Sequence, residues 1–313
     1  MLNTPGLQAY FLLALQGAVW GSSFQAIKYA LEGFGPISIA AGRIFIAAIV
    51  LLGYALMQGD KLPRSASIWM SFLLVGFFNC ALPFFLIPWG EQSLDSGRAA
   101  IFMATGPLIA ILLAHFTRSN EQITRYKAVG FILGFIGVLW VIGLDSFTKG
   151  VGDLLPQLAI IVAAASYAIS GAMVTRLHGL SSAMVSAGVL MGGCIITLPA
   201  SLLLENPLAH TENLPNSAII ALLYLGLIPT GAAFFVRFYL IRLYGYTFVA
   251  QVGYLVPLFS VLFGVVLLGE TLTLAMVFGL VLILGGILLS RRGQNCSANL
   301  TQVKAKATPD GQD

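Results

Sequence analysis

A single arginine, Arg43, stands inside the apolar run IAAGRIFIAAIVLL, with no carboxylate near it in the sequence. A guanidinium keeps its charge and carries five N–H donors in a planar fork, so in apolar surroundings it must find an acceptor, an anion or water. Other polar side chains recur inside apolar runs at helical spacing. Gln16, Trp20 and Ser23 share one face at i, i+4 and i+7, Ser166, Tyr167 and Ser170 cluster, and Gln251 and Tyr254 form an i, i+3 pair. Asn79 is the one amide of its run, which Trp89 closes, and Tyr239 stands in a later run. Such groups can grip a small polar solute through a few placed hydrogen bonds and one ionic contact. They do not form a reaction centre. HExxH, GxSxG and a spaced aspartate pair within the apolar runs are absent, and Cys80, Cys194 and Cys296 lack metal-ligand spacing. The expectation is a protein that is not an enzyme and needs no metal or cofactor.

The elements that hold these residues follow from composition. Of 313 residues 58% are hydrophobic and 9% charged, against about 25% charged in a soluble domain. A mean hydropathy of +0.92 places the chain in a lipid bilayer. About 20 helical residues cross the hydrocarbon core. Cutting at Gly, Pro and charge clusters gives ten spans: 8–30, 36–57, 67–90, 97–115, 124–143, 151–175, 181–204, 216–241, 247–268 and 272–290. The runs are continuously apolar rather than alternating, which selects helices over a barrel. The net charge of +4 does not point to nucleic acid, because the basic residues sit in short connections between spans. With a cytoplasmic N-terminus, eleven of them, from Lys61 and Arg64 to Lys304 and Lys306, fall on the inner side; Lys28, Arg98 and Lys149 fall outside. That bias predicts cytoplasmic termini. The apolar N-terminal run lacks the basic start of a secretory signal and is expected to be retained.

Sliding the sequence by about 150 residues brings its halves into register. ALPFF at 81–85 falls on GAAFF at 231–235, GPL at 106–108 falls on VPL at 256–258, and Trp89 meets Tyr239. Residues 1–147 and 148–293 therefore read as two five-helix repeats, with 294–313 a disordered cytoplasmic tail. An odd number of spans per repeat inverts the second unit, which suits rocking about a site near the midplane. Pro107 and Pro257 occupy matching slots and are expected to bend or open their helices. Glycines 130, 134 and 137 and glycines 279, 285 and 286 put small surfaces on the fifth and tenth spans. They suit close helix contact, within the fold or between two copies in a homodimer.

WGSSFQAIKYALEGFGP at 20–36, AAGRIFIAA at 40–48, GRAAIFMATGPLIAILLA at 97–114 and FVAQVGYLVPLFSVLFGVVLLGETLTLAMVFGLVLILGGILL at 248–289 resemble the EamA family of the drug/metabolite transporter superfamily. The resemblance covers nearly all of residues 8–290 and departs at Asn120, where the family more often has glycine. It implies ten helices, a central cavity lined from both halves, and movement of small metabolites, commonly export, through a bacterial-type inner membrane.

Within that frame the candidate cavity residues are Gln16, Trp20, Ser23, Arg43, Asn79, Trp89, Tyr167, Ser170, Tyr239, Gln251 and Tyr254. Each also has a structural alternative. Arg43 serves the cavity or a helix contact, Asn79 and Gln251 can bond between helices, and the aromatics can pack or, for Trp89, sit at the interface. Lys28 and Arg237 are expected to reach the membrane surface by snorkelling. Every carboxylate falls at a span end, in a turn or in the tail. This argues against a proton-for-cation exchanger and for neutral, zwitterionic or anionic solutes. The expected function is export of amino acids or related polar solutes by alternating access. A multidrug exporter with an aromatic cavity and a non-transporting scaffold or signalling protein remain alternatives.

Overall fold

The structure is a computed structural model that describes residues 6–117, 125–143, 151–174, 177, 179–207, 214–244, 246–249 and 251–289. The expected tail at 294–313, Cys296 and Asn120 lie outside these residues. The described chain is helical with no strand: α1 Leu7–Ala30, α2 Pro36–Met57, α3 Ala66–Glu91, α4 Ser96–Met103, α5 Gly106–Thr117, α6 Arg125–Ile142, α7 Val151–Met173 and α8 Ser182–Leu204. After these come α9, continuous through Asn216–Leu225, Gly226–Ala232 and Ala233–Tyr244, then α10 Tyr246–Val249, α11 Val252–Leu268 and α12 Leu274–Leu289. Five helices are long and apolar enough to cross a membrane: Pro36–Met57, Ala66–Glu91, Leu154–Met173, Ser182–Leu204 and Asn216–Arg237. Ala128–Ile142, Val252–Leu268 and Leu274–Leu289 are shorter apolar helices. Large apolar side chains such as Phe11, Ile49, Phe135, Leu203 and Val281 stay exposed, as a surface facing lipid requires.

Helix boundaries have local causes. Pro36 opens α2, where a missing N–H costs nothing. The Ser181 hydroxyl caps α8 by accepting from Met184 N at 3.0 Å. Gly269, at φ +65°, ends α11 in the left-handed conformation that glycine adopts without strain. Two helices change pitch: α3 carries a π segment at Phe77–Ala81 and α9 another at Gly226–Ala232. Pro229, inside the second, cannot donate to the Leu225 carbonyl four residues back. The Thr230 hydroxyl donates to that carbonyl at 2.7 Å instead.

The matching prolines behave differently. Pro257 lies buried inside α11. Pro107 lies at the start of α5, after a break at Ala104 and Thr105 that separates α4 from α5.

Glycines let the helices approach. On α8, a Cβ at Gly192 would stand 2.6 Å from the Phe72 backbone carbon and 2.9 Å from Leu73 N. On α6, a Cβ at Gly137 would meet the Gly279 carbonyl of α12 at 2.9 Å, and one at Gly286 of α12 would meet Gly134 N at 2.8 Å. Gly130, Gly134, Gly137, Gly279 and Gly286 thus join the fifth and tenth expected spans within the fold, whereas a Cβ at Gly285 would have nothing within 4 Å.

Carboxylates tie the helix ends. Glu205, just after α8, accepts from Ile37 N at 2.9 Å and Ser38 N at 2.7 Å at the start of α2. At the other end of this pair Asp60, after α2, accepts the Ser181 hydroxyl at the start of α8, so α2 and α8 run antiparallel. Glu270, after α11, accepts from Ser96 N at 2.7 Å and Gly97 N at 3.0 Å at the start of α4. Each bond places a negative charge on the positive end of a helix.

Gly192→Ala should destabilise the protein by about 1–3 kcal/mol, since its methyl meets backbone that cannot rotate away. Gly171→Ala, whose methyl would have nothing within 4 Å, should leave stability unchanged or slightly raised. Thermal unfolding in detergent separates the two.

Candidate substrate-binding site

The π segment of α9 collects the polar side chains of α1 and α2. A wider turn and an internal proline leave carbonyls pointing away from the usual helical ladder, and these need donors. Trp20 Nε1 donates to the Pro229 carbonyl at 2.9 Å, and Gln16 Nε2 donates to the Ala233 carbonyl at 3.1 Å. Arg43 Nε and Nη2 donate to Thr230 Oγ1 at 3.2 and 3.0 Å. Three of the residues read from the sequence therefore converge on one stretch of a distant helix.

Arg43 is 5% exposed, and its guanidinium carbon lies 3.7 Å from the centroid of the Phe84 ring. A cation over a ring face gains electrostatic attraction, more so when water is excluded. No carboxylate of the described residues forms an ion pair with it; the ionisable groups that face it are Tyr167, Cys80 and Glu91. Its two hydrogen bonds end on one neutral hydroxyl, so much of the donor fork is unspent. Gln16 is likewise buried, and its Oε1 has no hydrogen-bond partner.

The π segment of α3 carries a second polar contact. Asn79 Nδ2 donates to Ser170 Oγ on α7 at 2.8 Å, and Ser170 in turn donates to the Tyr167 carbonyl at 2.9 Å. In the repeat register Asn79 stands where Pro229 stands, and Ser170 where Trp20 does, so the two contacts occupy corresponding places. Tyr167 packs against both of the larger core clusters.

The other expected site residues are more scattered. Ser23 bonds back to the Val19 carbonyl of its own helix at 3.3 Å. Trp89 is half-buried near the end of α3. Gln251 lies at the turn preceding α11, and Tyr254, in the first turn of α11, packs against the largest core cluster. Tyr239 is 51% exposed and joins none of the contacts described at the π segments.

The two basic residues expected to snorkel have partners on neighbouring helices. Arg237 sits with its guanidinium carbon 5.6 Å from the Trp20 ring centroid. Lys28 donates to the Glu91 carbonyl at 2.6 Å. In each case a neighbouring helix offers an aromatic face or a carbonyl within reach, a feature that position along one's own helix does not reveal. Sequence reasoning also missed Phe84 and Thr230. Their signal was present in ALPFF and in the Pro-Thr pair inside an apolar run, but pairing them with Arg43 needs the packing. In this conformation the cluster is closed, with Gln16, Arg43 and Thr230 all buried. A cavity of about 250 Å³ lined by Gly33, Phe34, Gly35, Ser38, Glu205 and Pro207 opens instead at the end of the bundle.

The EamA-like transporter family model matches residues 7–143 and 154–292, a segment in each half of the chain. The chain belongs to the EamA-like transporter family. It is 25% identical over 273 residues to "Uncharacterized transporter YoaV" of Bacillus subtilis, covering 87% of this chain and 92% of that one. It is 26% identical over 289 residues to the "Probable terminal-alkyne amino-acid exporter" of Streptantibioticus cattleyicolor, covering 91% and 94%. A solved structure described as "Crystal structure of protein" superposes with a TM-score of 0.64 at 19% identity, over 90% of this chain and 97% of that chain. That likeness supports the helical fold alone. This EamA-family chain is thus a multi-pass membrane transporter, whose environment is a lipid bilayer and whose ligand is a small molecule.

Thr230→Val keeps the side-chain shape but removes the acceptor of Arg43 and the donor to Leu225. Leaving the buried guanidinium without its hydrogen bond should lower stability by about 1–3 kcal/mol. Thermal unfolding of the purified variant checks this.

Proposed function

We propose that this EamA-family transporter exports amino acids or related small polar solutes across the inner membrane, with both termini in the cytoplasm. It does so by alternating access between two inverted five-helix halves, residues 1–147 and 148–293. The observation that carries this reading is Arg43: a buried, permanently charged fork that spends its bonds on one hydroxyl and forms no close ion pair with a carboxylate among the described residues, the carboxyl group that faces it, Glu91, lying beyond bonding reach. Buried charges are ordinarily paired. The carboxylate of a zwitterionic or anionic solute would supply the missing partner, while the amide of Gln16 and the indole of Trp20 would meet its remaining groups. The corresponding contacts at the two π segments support related halves, and the antiparallel course of α2 and α8 supports their inversion.

The alternatives are less well supported. A multidrug site would offer open aromatic faces, whereas Arg43 occupies the face of Phe84. A dry scaffold would need fully paired amides, whereas Gln16 Oε1 is buried and unpartnered.

Proteoliposomes given a panel of amino acids, organic acids and lipophilic cations should exchange members of the first two groups. Arg43→Gln, purified at wild-type stability, should exchange them roughly tenfold more slowly or worse, the equivalent of about 1.4 kcal/mol. Movement of lipophilic cations alone, or full activity of the variant, would remove the basis of the proposal.

A further inference from the structure

Glu91, the last residue of α3, is 0% exposed, and neither carboxyl oxygen has a hydrogen-bond partner. An ionised carboxylate stripped of water and given no donor is strongly disfavoured. The charged groups that face it are Lys28 of α1, Glu270 after α11 and Arg43 of α2. None relieves it. Lys28 spends its short hydrogen bond on the backbone carbonyl of Glu91, 2.6 Å away, and not on the carboxyl group. Glu270 is itself an acid, engaged by Ser96 N and Gly97 N, and it opposes a second negative charge. Arg43 is bonded to Thr230. At the same corner Gln25, one turn before Lys28, donates to Ser96 Oγ and to the Ser260 carbonyl, each at 2.8 Å, while its own Oε1 is buried without a hydrogen-bond partner.

We infer that Glu91 is a proton-binding site of the transport cycle, holding a proton in this closed conformation and releasing it when α1 and α3 move apart. The acid O–H bond breaks, the proton passes to water admitted at the open end, and the resulting carboxylate pairs with the Lys28 ammonium as that group leaves the Glu91 carbonyl. The buried state then holds a neutral acid, and the open state an ion pair in contact with water. The two conformations thus differ by one proton, as ion coupling demands. The inference rests on the proposed transport cycle only for its use of the proton; the occupancy of the carboxyl group is a separate property of the folded chain.

Two measurements test it. Infrared difference spectra of the purified protein, recorded through a pH titration, should show a protonated carboxylic-acid band at neutral pH that is missing in Glu91→Gln. A wild-type spectrum without that band, or a variant that retains it, overturns the inference, and the wild-type titration decides even if the variant does not fold. In proteoliposomes holding a trapped pH indicator, adding the solute that exchanges in the panel should move protons in the wild type, in either direction. Glu91→Gln should move none, whatever its absolute rate of solute exchange. Solute exchange without proton movement in the wild type, or unchanged proton movement in the variant, overturns the coupling role. A wild type that exchanges no solute defeats the transport reading instead, and leaves the infrared result to stand by itself.

Discussion

In an apolar bundle with few charges, a buried polar group depends on another helix for its partner. Water is not there to compensate, and an unmade hydrogen bond costs more than a made one gains. The interior of this protein is organised by that constraint. Pro229 breaks the ladder of α9, Thr230 repairs one carbonyl from within the helix, and α1 supplies Trp20 and Gln16 for two more. Arg43 then uses the repairing hydroxyl as its own acceptor. A local defect in one helix thus specifies which faces of two others must point at it, and Gly226 of α9, packed directly on Ile46 of α2, allows one of them to approach.

The carboxylates are governed by the same constraint at the helix ends. Exposed amides at a helix start carry partial positive charge, so an acid placed just after one helix can close the start of another. Glu205 and Glu270 do this at one end of the bundle, and Asp60, through Ser181, at the other. These residues look peripheral in the chain, yet they set which helix ends meet. Glu91 has the same kind of position without any such engagement, and this separates it from the others.

The all-helical membrane class was legible because bilayer thickness and apolar length are simple quantities, and the pitch changes in α3 and α9, at 77–81 and 226–232, end where the aligned halves begin ALPFF and GAAFF. Single helices were easier to read than their contacts. Trp20 and Gln16 share a face by spacing alone, but nothing in α1 names Pro229 and Ala233 as their acceptors. The same limit holds for Lys28 and Arg237: measured along their own helices they are near an end, and their partners come from α3 and α1. Tyr239 was picked by analogy with Trp89 across the repeat, yet a shared register does not guarantee a shared environment once the two halves diverge in side-chain size.

The strength of these contacts bears on how the molecule can move. Trp20 to Pro229, Gln16 to Ala233 and Asn79 to Ser170 are single bonds between helices, and Arg43 places two on Thr230. Such bonds contribute on average about 0.6 kcal/mol in a membrane protein. Exchanging several of them costs only a few kcal/mol, the size of difference a bound ligand can supply between two conformations. Fully paired buried ion pairs would lock the bundle, since breaking one leaves a charge stranded at about 3–5 kcal/mol. In the proposed cycle, a central guanidinium bonded to a neutral hydroxyl, rather than to a carboxylate, would keep the closed state stable enough to exclude water and weak enough to be opened.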